Sequence, residues 1–351
     1  MKISVGILAY NEADCIEETI RSLLAQSVFQ HPYLNYTFEI IVVPNGCTDD
    51  TSSVSHQALI ELTSSIPDSY LSWQVREVVQ AGKPNAWNCF VHEFSDPSAD
   101  YLILMDADIR FLEPDTLDSL VQSLENDLEA QVAVDTLVKD VALKPSKSLM
   151  DRLSLSISKV SGAGSVWISG QLYCGRGALL RRIWMPAKIE VEDGFLWKMV
   201  VTNCLTVPEN PKRVVRAAPA AHVFEAYTNI ERLLRHERWL IAANTINSFI
   251  FSDLSMVCDH RQDAGMLIKL RNQEDPIWVD RLIQTRVAQK GWWIIPKELL
   301  LRRFQSLRYI AFPKKLLLLP VSLLAFGADL IVCIQVNSNL HRRSQHLVSK
   351  A

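Results

Sequence analysis

Two hydropathy patterns alternate along the first hundred residues of the chain. Short apolar runs predict buried strands over residues 3–8, 39–43, 71–79 and 101–105. Between them, apolar residues recur at helical spacing, as at Ile16, Ile20 and Leu23, and predict helices over 14–25, over 51–64 and from residue 82 onward. Strands and helices that alternate at this pace form a mostly parallel, doubly wound α/β sheet.

The second half of the chain is increasingly helical and apolar. A further strand is predicted over 132–136, a helix from Glu192 and a long helix over 228–251. We therefore expect one α/β domain over 1–240 and a helical C-terminal region over 241–351.

The most apolar stretch covers residues 316–336. It is long enough to cross a bilayer as a helix. Asp329 lies within it and counts against a span, because a carboxylate inside a bilayer is costly. Lys314-Lys315 and Arg342-Arg343 flank the stretch on both sides, so the positive-inside rule selects no orientation. A membrane span, a helix lying at the membrane surface and a buried core helix all remain open.

Acidic residues follow the fourth predicted strand directly. Because side chains two apart in a strand point the same way, Asp106 and Asp108 can present two carboxylates together at its C-terminal end. Ligands of open α/β sheets bind at that end of the strands. Two carboxylates side by side favour a divalent cation that also bridges a diphosphate.

Overall composition narrows the class of partner and the compartment. The 351 residues carry a net charge of −3, which predicts no nucleic-acid partner. Seven cysteines are spread singly, which is typical of a reducing compartment. The chain enters a strand at once without a signal-peptide pattern, so we expect the α/β domain to be cytoplasmic, and to lie at the inner face of a membrane if the apolar segment makes contact.

Five sequence blocks in a fixed order resemble the inverting family 2 glycosyltransferases, whose catalytic domain has the GT-A fold. The resemblance covers roughly residues 2–240. The blocks are Ala9-Tyr10-Asn11-Glu12, the run from Val42 to Thr51, Gly82 to Asn88, Met105 to Asp108, and Val191-Glu192-Asp193.

The resemblance implies a donor site for a nucleoside-diphosphate sugar. Ala9, Asn11 and Glu12 would border the base and ribose, and Lys83 would lie near the base and phosphates. Asp106 and Asp108 would hold Mn²⁺ or Mg²⁺ on the diphosphate. Asn45 stands where the family typically has an acid, and Pro44 replaces the usual preceding Asp. The Asn45 amide can still contact a nucleotide base, since it both donates and accepts hydrogen bonds, but these departures leave the donor nucleotide open between UDP and GDP.

The resemblance also implies the catalytic and acceptor residues. Asp193 would be the general base, and Glu192 would orient the acceptor or tune the pKa of Asp193. Gly170 and Arg176 belong to a glycine-bearing loop that would meet the acceptor or phosphate. Arg238 and Trp239 match part of the Q-x-x-R-W segment of processive synthases, but Arg235 replaces the glutamine, so we favour single transfer. His222 is either a further metal ligand or an ordinary histidine.

The predicted function is a metal-assisted hexosyltransferase that moves one sugar from a UDP- or GDP-sugar to an acceptor hydroxyl with inversion. The basic and apolar C-terminal part suggests a lipid or lipid-linked glycan as acceptor. A non-catalytic, membrane-associated scaffold with a degenerate site is the alternative, supported by Pro44, Asn45 and Arg235. Sugar-nucleotide synthesis is disfavoured. Enzymes of that class cradle a triphosphate in a loop with glycines, Arg and Lys, and the loop at residues 9–12 has neither a glycine run nor a basic side chain.

Overall fold

A computed structural model describes residues 1–31, 35–146, 166–225, 229–258, 263–302, 304 and 312–348. These residues form two compact units. One comprises Met1–Met185, Glu192–Thr228 and His260–Lys269, and the other comprises Pro186–Val191, Asn229–Asp259 and Leu270–Ala351. Each unit therefore combines segments that are distant in the sequence. The domain boundary expected at residue 240 stays a prediction.

The described part of the first unit contains an eight-stranded sheet in the order β3-β2-β1-β4-β7-β6-β8-β5. The strands β1 to β4 are parallel, β7 runs antiparallel to both β4 and β6, and β5 runs antiparallel to β8. The sheet is thus doubly wound and parallel in its first half and mixed beyond β4. In chain order the strands are Lys2–Ala9, Thr37–Pro44, Leu71–Val75, Tyr101–Asp106, Arg110–Phe111, Val132–Lys139, Leu172–Arg176 and Val214–Phe224.

Helices of the first unit follow most of these strands. β1, β2 and β4 are mostly apolar and buried, as expected for a parallel sheet covered on both faces. Ile16, Ile20 and Leu23, at helical spacing, are buried against that core. The helices α1 to α8 are Ile16–Leu24, Ser27–Gln30, Thr51–Thr63, Lys83–Cys89 (continued by a π-helical turn, Phe90–Phe94), Thr116–Glu125, Asp140–Leu143, Gly177–Leu180 and Asp193–Val201.

The second unit is helical in its described residues. Its main helices are long, and α10 begins in the first unit and ends in the second. The helices α9 to α13 are Ile230–Val257, Ala264–Glu274, Trp278–Lys290, Lys297–Leu300 and Phe312–Val348.

The predicted apolar segment 316–336 lies within α13. The side chains at 316–318, 321 and 324 fall outside the described set. Of the helices that the structure describes, the stretch Glu231–Val257 of α9 has the length and composition to cross a membrane, and 44% of its apolar window is buried. Core helices of soluble proteins share those properties, so membrane contact stays a prediction.

Candidate active site

The carboxyl ends of the parallel strands bring most of the predicted site residues to one edge of the sheet. Leu8 of β1 pairs with Asp106 of β4, and Ala9 pairs with Pro44 of β2. The chain segments that follow these three strands therefore leave the sheet side by side. Two later segments join them there, because the Asp106 backbone N–H donates to the Gln171 carbonyl at 2.9 Å and Lys83 contacts Glu192.

Asp106 and Asp108 differ in their surroundings. Asp106 ends β4 and is partly buried, whereas Asp108 is exposed two residues later. Burial raises the pKa of Asp106, and the neighbouring Lys83 ammonium opposes that shift. Partial desolvation of its carboxyl group also raises the pKa of Asp108, and the Glu12 carboxylate adds to it. Two carboxylates that both resist ionisation in this way are well suited to accept a cation.

Lys83 joins three segments of the site. Its Nζ lies 2.6 Å from Asp106 Oδ1 and 3.0 Å from Glu192 Oε1, and it donates to the Gly170 carbonyl at 3.0 Å. Burial lowers the pKa of Lys83, but the carboxylates of Asp106, Glu192 and Asp193 overcome burial and hold the pKa well above its usual value. Lys83 is therefore a fixed positive charge among acids.

The predicted base lies at the start of α8. Asp193 is its first residue, and Glu192 occupies the N-cap position with 4% of its surface exposed. Burial, and then the Glu192 carboxylate, raise the pKa of Asp193 to about 7, while Lys83 and the Gly170 N–H, which donates to the carboxylate, oppose the rise. A carboxyl group with that pKa can exchange a proton near neutral pH.

The position of Gly170 depends on its lack of a side chain. A Cβ at this residue would lie 2.3 Å from Asp193 Oδ1 and 2.6 Å from Glu192 Oε1. The backbone can therefore approach both carboxylates only because residue 170 is glycine.

The loop after β1 is tied to the segment after β2 by hydrogen bonds. Asn11 has a φ of +55°, and its Oδ1 accepts from the Thr48 backbone N–H at 2.8 Å. The Glu12 backbone N–H donates to Thr51 Oγ1 at 2.8 Å. The loop thus has a defined shape.

Asn45 has mainly backbone partners. Its Nδ2 donates to the carbonyl of Ala9 at 2.7 Å, and its Oδ1 accepts from the Gly82 N–H at 3.0 Å. Ala9 itself is fully buried. Asn45 therefore ties the end of β1 to the loop that carries Lys83, and its contact with a nucleoside stays a prediction.

The structure does not bring Arg176 to this edge. Arg176 pairs with Tyr101 at the start of β4, so it lies about 17 Å along the sheet from Asp106. Its guanidinium donates to the Ala130 carbonyl at 3.0 Å and to the Tyr101 hydroxyl at 3.0 Å. The spacing to Gly170 suggested one loop, but β7 (Leu172–Arg176) carries Arg176 away from it, so we correct the expected role.

Arg238 and Trp239 lie on α9 in the second unit. Arg238 donates to Gln335 Oε1 at 3.4 Å, and 40% of Trp239 is exposed. Arg235 pairs with Glu231 one turn earlier on the same helix. Acceptor contact by Arg238 and Trp239 stays a prediction.

A buried polar group adjoins the Gly170 segment, and of its members the sequence had indicated only His222. The ring of His222 contacts Asp135 Oδ2 through Nδ1 at 2.7 Å and Gln171 Oε1 through Nε2 at 3.3 Å. Both His222 and Asp135 are almost completely buried. The sequence signal for this pair was Asp135, an acidic residue inside the otherwise apolar strand predicted over 132–136. Among the described residues, no group of three or more His, Cys, Asp or Glu side chains is arranged to hold a metal.

A feature that the sequence did not reveal is an aromatic pair, one member of which lies three residues before Gly170 in the chain. Trp167 and Trp197 stack with ring centroids 4.3 Å apart. Neither residue falls within a recognised motif, and tryptophans 30 positions apart give no periodic signal.

Comparison with known families and structures agrees with this fold. The model of the family described as "Glycosyl transferase family 2" matches residues 4–185, just over half of the chain. The chain therefore belongs to glycosyl transferase family 2 and is a glycosyltransferase. A search of curated protein sequences finds no match.

Solved structures with a similar fold are only distantly related in sequence. The mannosyltransferase PcManGT from Pyrobaculum calidifontis, solved with GDP-Man and Mn²⁺, is 16% identical with a TM-score of 0.51, over 98% of this chain and 86% of that one. TarS 1–349 from S. aureus, solved with UDP, is 16% identical with a TM-score of 0.45, over 97% and 92%. Glucosyl-3-phosphoglycerate synthase from Mycobacterium tuberculosis is 18% identical with a TM-score of 0.43, over 70% and 76%. The family match and the first of these confirm the predicted GT-A fold.

Proposed function

We propose that this glycosyltransferase moves a single sugar from a nucleoside-diphosphate sugar, UDP- or GDP-linked, to an acceptor hydroxyl with inversion at the anomeric carbon. The observation that carries the proposal is the partly buried Asp193 carboxylate, whose pKa is raised to about 7 beside the cluster of Lys83, Asp106 and Glu192.

Asp193 is the general base of the proposed reaction. The acceptor oxygen forms a bond to the anomeric carbon as the bond from that carbon to the diphosphate oxygen breaks, and Asp193 takes the acceptor proton. A base with a pKa near the working pH serves such a transfer best. Attack from the side opposite the leaving group inverts the carbon. Glu192 keeps Asp193 from ionising too readily.

The donor lies along the sheet edge in this proposal. Ala9, Asn11 and Glu12 border the nucleoside, with Asn45 behind them, and Lys83 is the cation nearest the phosphates. A long, flexible lysine can exchange a carboxylate partner for a phosphate oxygen. The fold neighbour PcManGT holds GDP-Man, which supports a sugar nucleotide as the ligand.

Asp106 and Asp108 are the proposed metal ligands. Their oxygen donors suit Mg²⁺ or Mn²⁺, and a cation of this kind is often bound by one or two carboxylates together with substrate phosphates. The fit is consistent with the raised pKa of each carboxyl group, since a cation would relieve their reluctance to ionise. When bound, the cation neutralises charge on the departing nucleoside diphosphate.

The metal proposal is tested by thermal unfolding with UDP or GDP. A ligand at 100 times its Kd stabilises the folded protein by about 2.7 kcal/mol. We expect Mn²⁺ to raise the midpoint in the presence of one nucleotide, EDTA to reverse the shift, and Asp108→Asn to abolish the part that depends on Mn²⁺. An equal Mn²⁺-dependent shift in the variant would refute this assignment.

The catalytic proposal is tested with Asp193→Asn, which keeps the shape and removes the base. Transfer from the preferred donor should fall by about 10²- to 10⁴-fold, while the thermal shift with nucleotide and Mn²⁺ is retained. Asp68→Asn, an exposed carboxylate elsewhere, is the control and should leave the rate unchanged. NMR of the product's anomeric proton tests inversion. Full activity of Asp193→Asn would exclude the proposed base.

We infer that the second unit contacts an anionic membrane surface and that the acceptor is a lipid or a lipid-linked glycan. The exposed apolar residues of α13 include Leu319, Leu323, Ile331 and Ile334. Their spacing places them along one side of the helix, and Arg342 follows them, also exposed. An apolar stripe followed by positive charge is typical of helices that lie at membrane surfaces. The cytoplasmic location at the inner membrane face stays part of this proposal.

A further inference from the structure

An exposed tryptophan lies on a buried one in the first unit. Trp167 is 55% exposed, whereas Trp197 is only 8% exposed. Their rings stack at an interplanar angle of 27°, and the Trp197 indole N–H donates to the Val166 carbonyl at 3.1 Å. One face of the Trp167 ring is therefore supported by Trp197, and its exposure comes from the rest of the ring.

The aromatic pair is tied to the helix that carries the proposed base. Trp197 follows Asp193 by four residues on α8, so both side chains project from one side of the helix, about 5.4 Å apart along its axis. The segment that contains Trp167 meets the same helix twice. Val166 accepts a hydrogen bond from Trp197, and the Gly170 N–H donates to the Asp193 carboxylate. Trp167 is thus held about one helical turn from the proposed base.

The surroundings of this ring indicate what kind of molecule it would bind. Ser169 and Gln171 flank Gly170, and the charged cluster of Lys83 and Glu192 lies beside that glycine. An aliphatic lipid chain would gain little in such polar surroundings. A pyranose ring has an apolar face of C–H groups that packs on the electron-rich face of an indole, while its hydroxyls stay with water and polar side chains.

We propose that Trp167 is a platform for a sugar ring of the acceptor, so that the nucleophilic hydroxyl belongs to a carbohydrate. This inference rests on the proposed function and names the substrate class of the same site. A sugar ring is comparable in length to one helical turn, so a ring on Trp167 places a hydroxyl of that sugar, or of its neighbour in a glycan, at Asp193. Trp197 acts as a positioning residue that fixes the platform.

Binding tests the platform without catalysis. Methyl glycosides of glucose, mannose, galactose and N-acetylglucosamine are titrated into the full chain, and tryptophan fluorescence is followed. We expect one of them to change the fluorescence, Trp167→Phe to keep binding it, and Trp167→Leu to weaken it by roughly tenfold, since stacking on an aromatic face is lost. Trp292→Leu, another exposed tryptophan but in the second unit, is the matched control and should bind normally. If no glycoside binds, or if Trp167→Leu binds as the wild type does, the platform is wrong.

Kinetics separate this inference from the proposed function. For the best glycoside acceptor, Trp167→Leu should raise KM by roughly tenfold, whereas the control Trp292→Leu should leave KM unchanged. Transfer to glycerol or a polyprenyl phosphate but to no glycoside would overturn the carbohydrate acceptor while leaving the transferase intact. Absence of donor turnover in the wild type would instead count against the proposed function, and glycoside binding would still decide the platform.

Discussion

At the scale of single residues, the tightest packing in the candidate site surrounds a glycine. A Cβ on Gly170 would meet Asp193, Glu192 and, at 3.1 Å, the Nζ of Lys83. Each of these groups has partners that limit how far it can move. The missing side chain is therefore a condition for placing the base next to its charged neighbours.

Replacing Gly170 by Ala should displace the two carboxylates. We expect transfer to fall by about 10²-fold, as for other misplacements of about 1 Å near reacting groups, and unfolding free energy to fall by about 1–3 kcal/mol through overpacking. Gly327→Ala is the control, because nothing lies within 4 Å of its Cβ position and it sits in α13. It should unfold no more easily than the wild type. Normal transfer by Gly170→Ala would contradict the described contacts.

The raised pKa of Asp193 also predicts how stability depends on pH. Because the folded-state pKa is about 7 and the ordinary value is 3.8, the folded protein binds more protons than the unfolded chain between these values. The contribution of Asp193 therefore lowers the unfolding free energy as the pH rises from about 4 to about 7, and this contribution no longer changes above about pH 7. Asp193→Asn removes the cost, so its stability relative to the wild type should increase over the same window.

Urea unfolding at several pH values, with EDTA present, measures this difference. Asp68→Asn should show no such trend, because the carboxylate of Asp68 is exposed. A difference between Asp193→Asn and wild type that stays constant from about pH 4 to about pH 8 would show that the carboxyl has an ordinary pKa.

At the scale of elements, the acid within the apolar segment of α13 has a specific partner. Arg302 donates to both carboxylate oxygens of Asp329, at 3.1 and 2.8 Å, and to Glu237 of α9 at 2.6 Å. Asp329 is only 4% exposed. Burial lowers the pKa of Arg302, but the hydrogen bonds to both acids overcome it and hold the pKa above its usual range. The charge of Asp329, which counts against a membrane span, is therefore compensated within the unit.

Replacing Arg302 by Met should leave Asp329 buried without this charge. We expect the unfolding free energy to fall by about 2–4 kcal/mol, below the full cost of breaking a buried pair because part of Arg302 is exposed. Arg235→Met, which removes an exposed pair with Glu231 on α9, should cost about 0.5 kcal/mol or less. Equal, small effects in urea unfolding would show that the network is not stabilising.

The sequence predicted well those helices and strands whose own residues show a hydrophobic run or period. The runs at 3–8 and 101–105 are β1 and β4, and the periodic residues after Asp14 form α1. The third strand is shorter than the predicted 71–79, ending at Val75, with a single further bridge between Asn45 and Val78. β7 and the two-residue β5 were not predicted, because such short strands show no period and depend on partners far away in the sequence.

At the scale of the whole molecule, the proposed membrane contact is tested with lipid vesicles. The full chain should float with phosphatidylglycerol vesicles and less with phosphatidylcholine vesicles, since positive charge contributes to binding. Leu323→Glu and Ile331→Glu place charges on the exposed stripe of α13 and should reduce flotation by roughly tenfold or more, because a charge in the apolar face opposes burial in the bilayer. Leu128→Glu, an exposed leucine of the first unit, is the control. Undiminished flotation of both α13 variants would exclude this surface.

The sequence by itself determined the doubly wound sheet, the family and the order of the motif blocks, because buried strands, amphipathic helices and strand-end motifs are local patterns. It did not determine that Arg176 lies at the opposite end of β4, that Asn45 binds backbone, or that Lys83 joins Asp106 to Glu192. Those facts follow from strand register and from pairs far apart along the chain. The same reason explains why only the tertiary structure placed Trp167 on Trp197, one turn from Asp193.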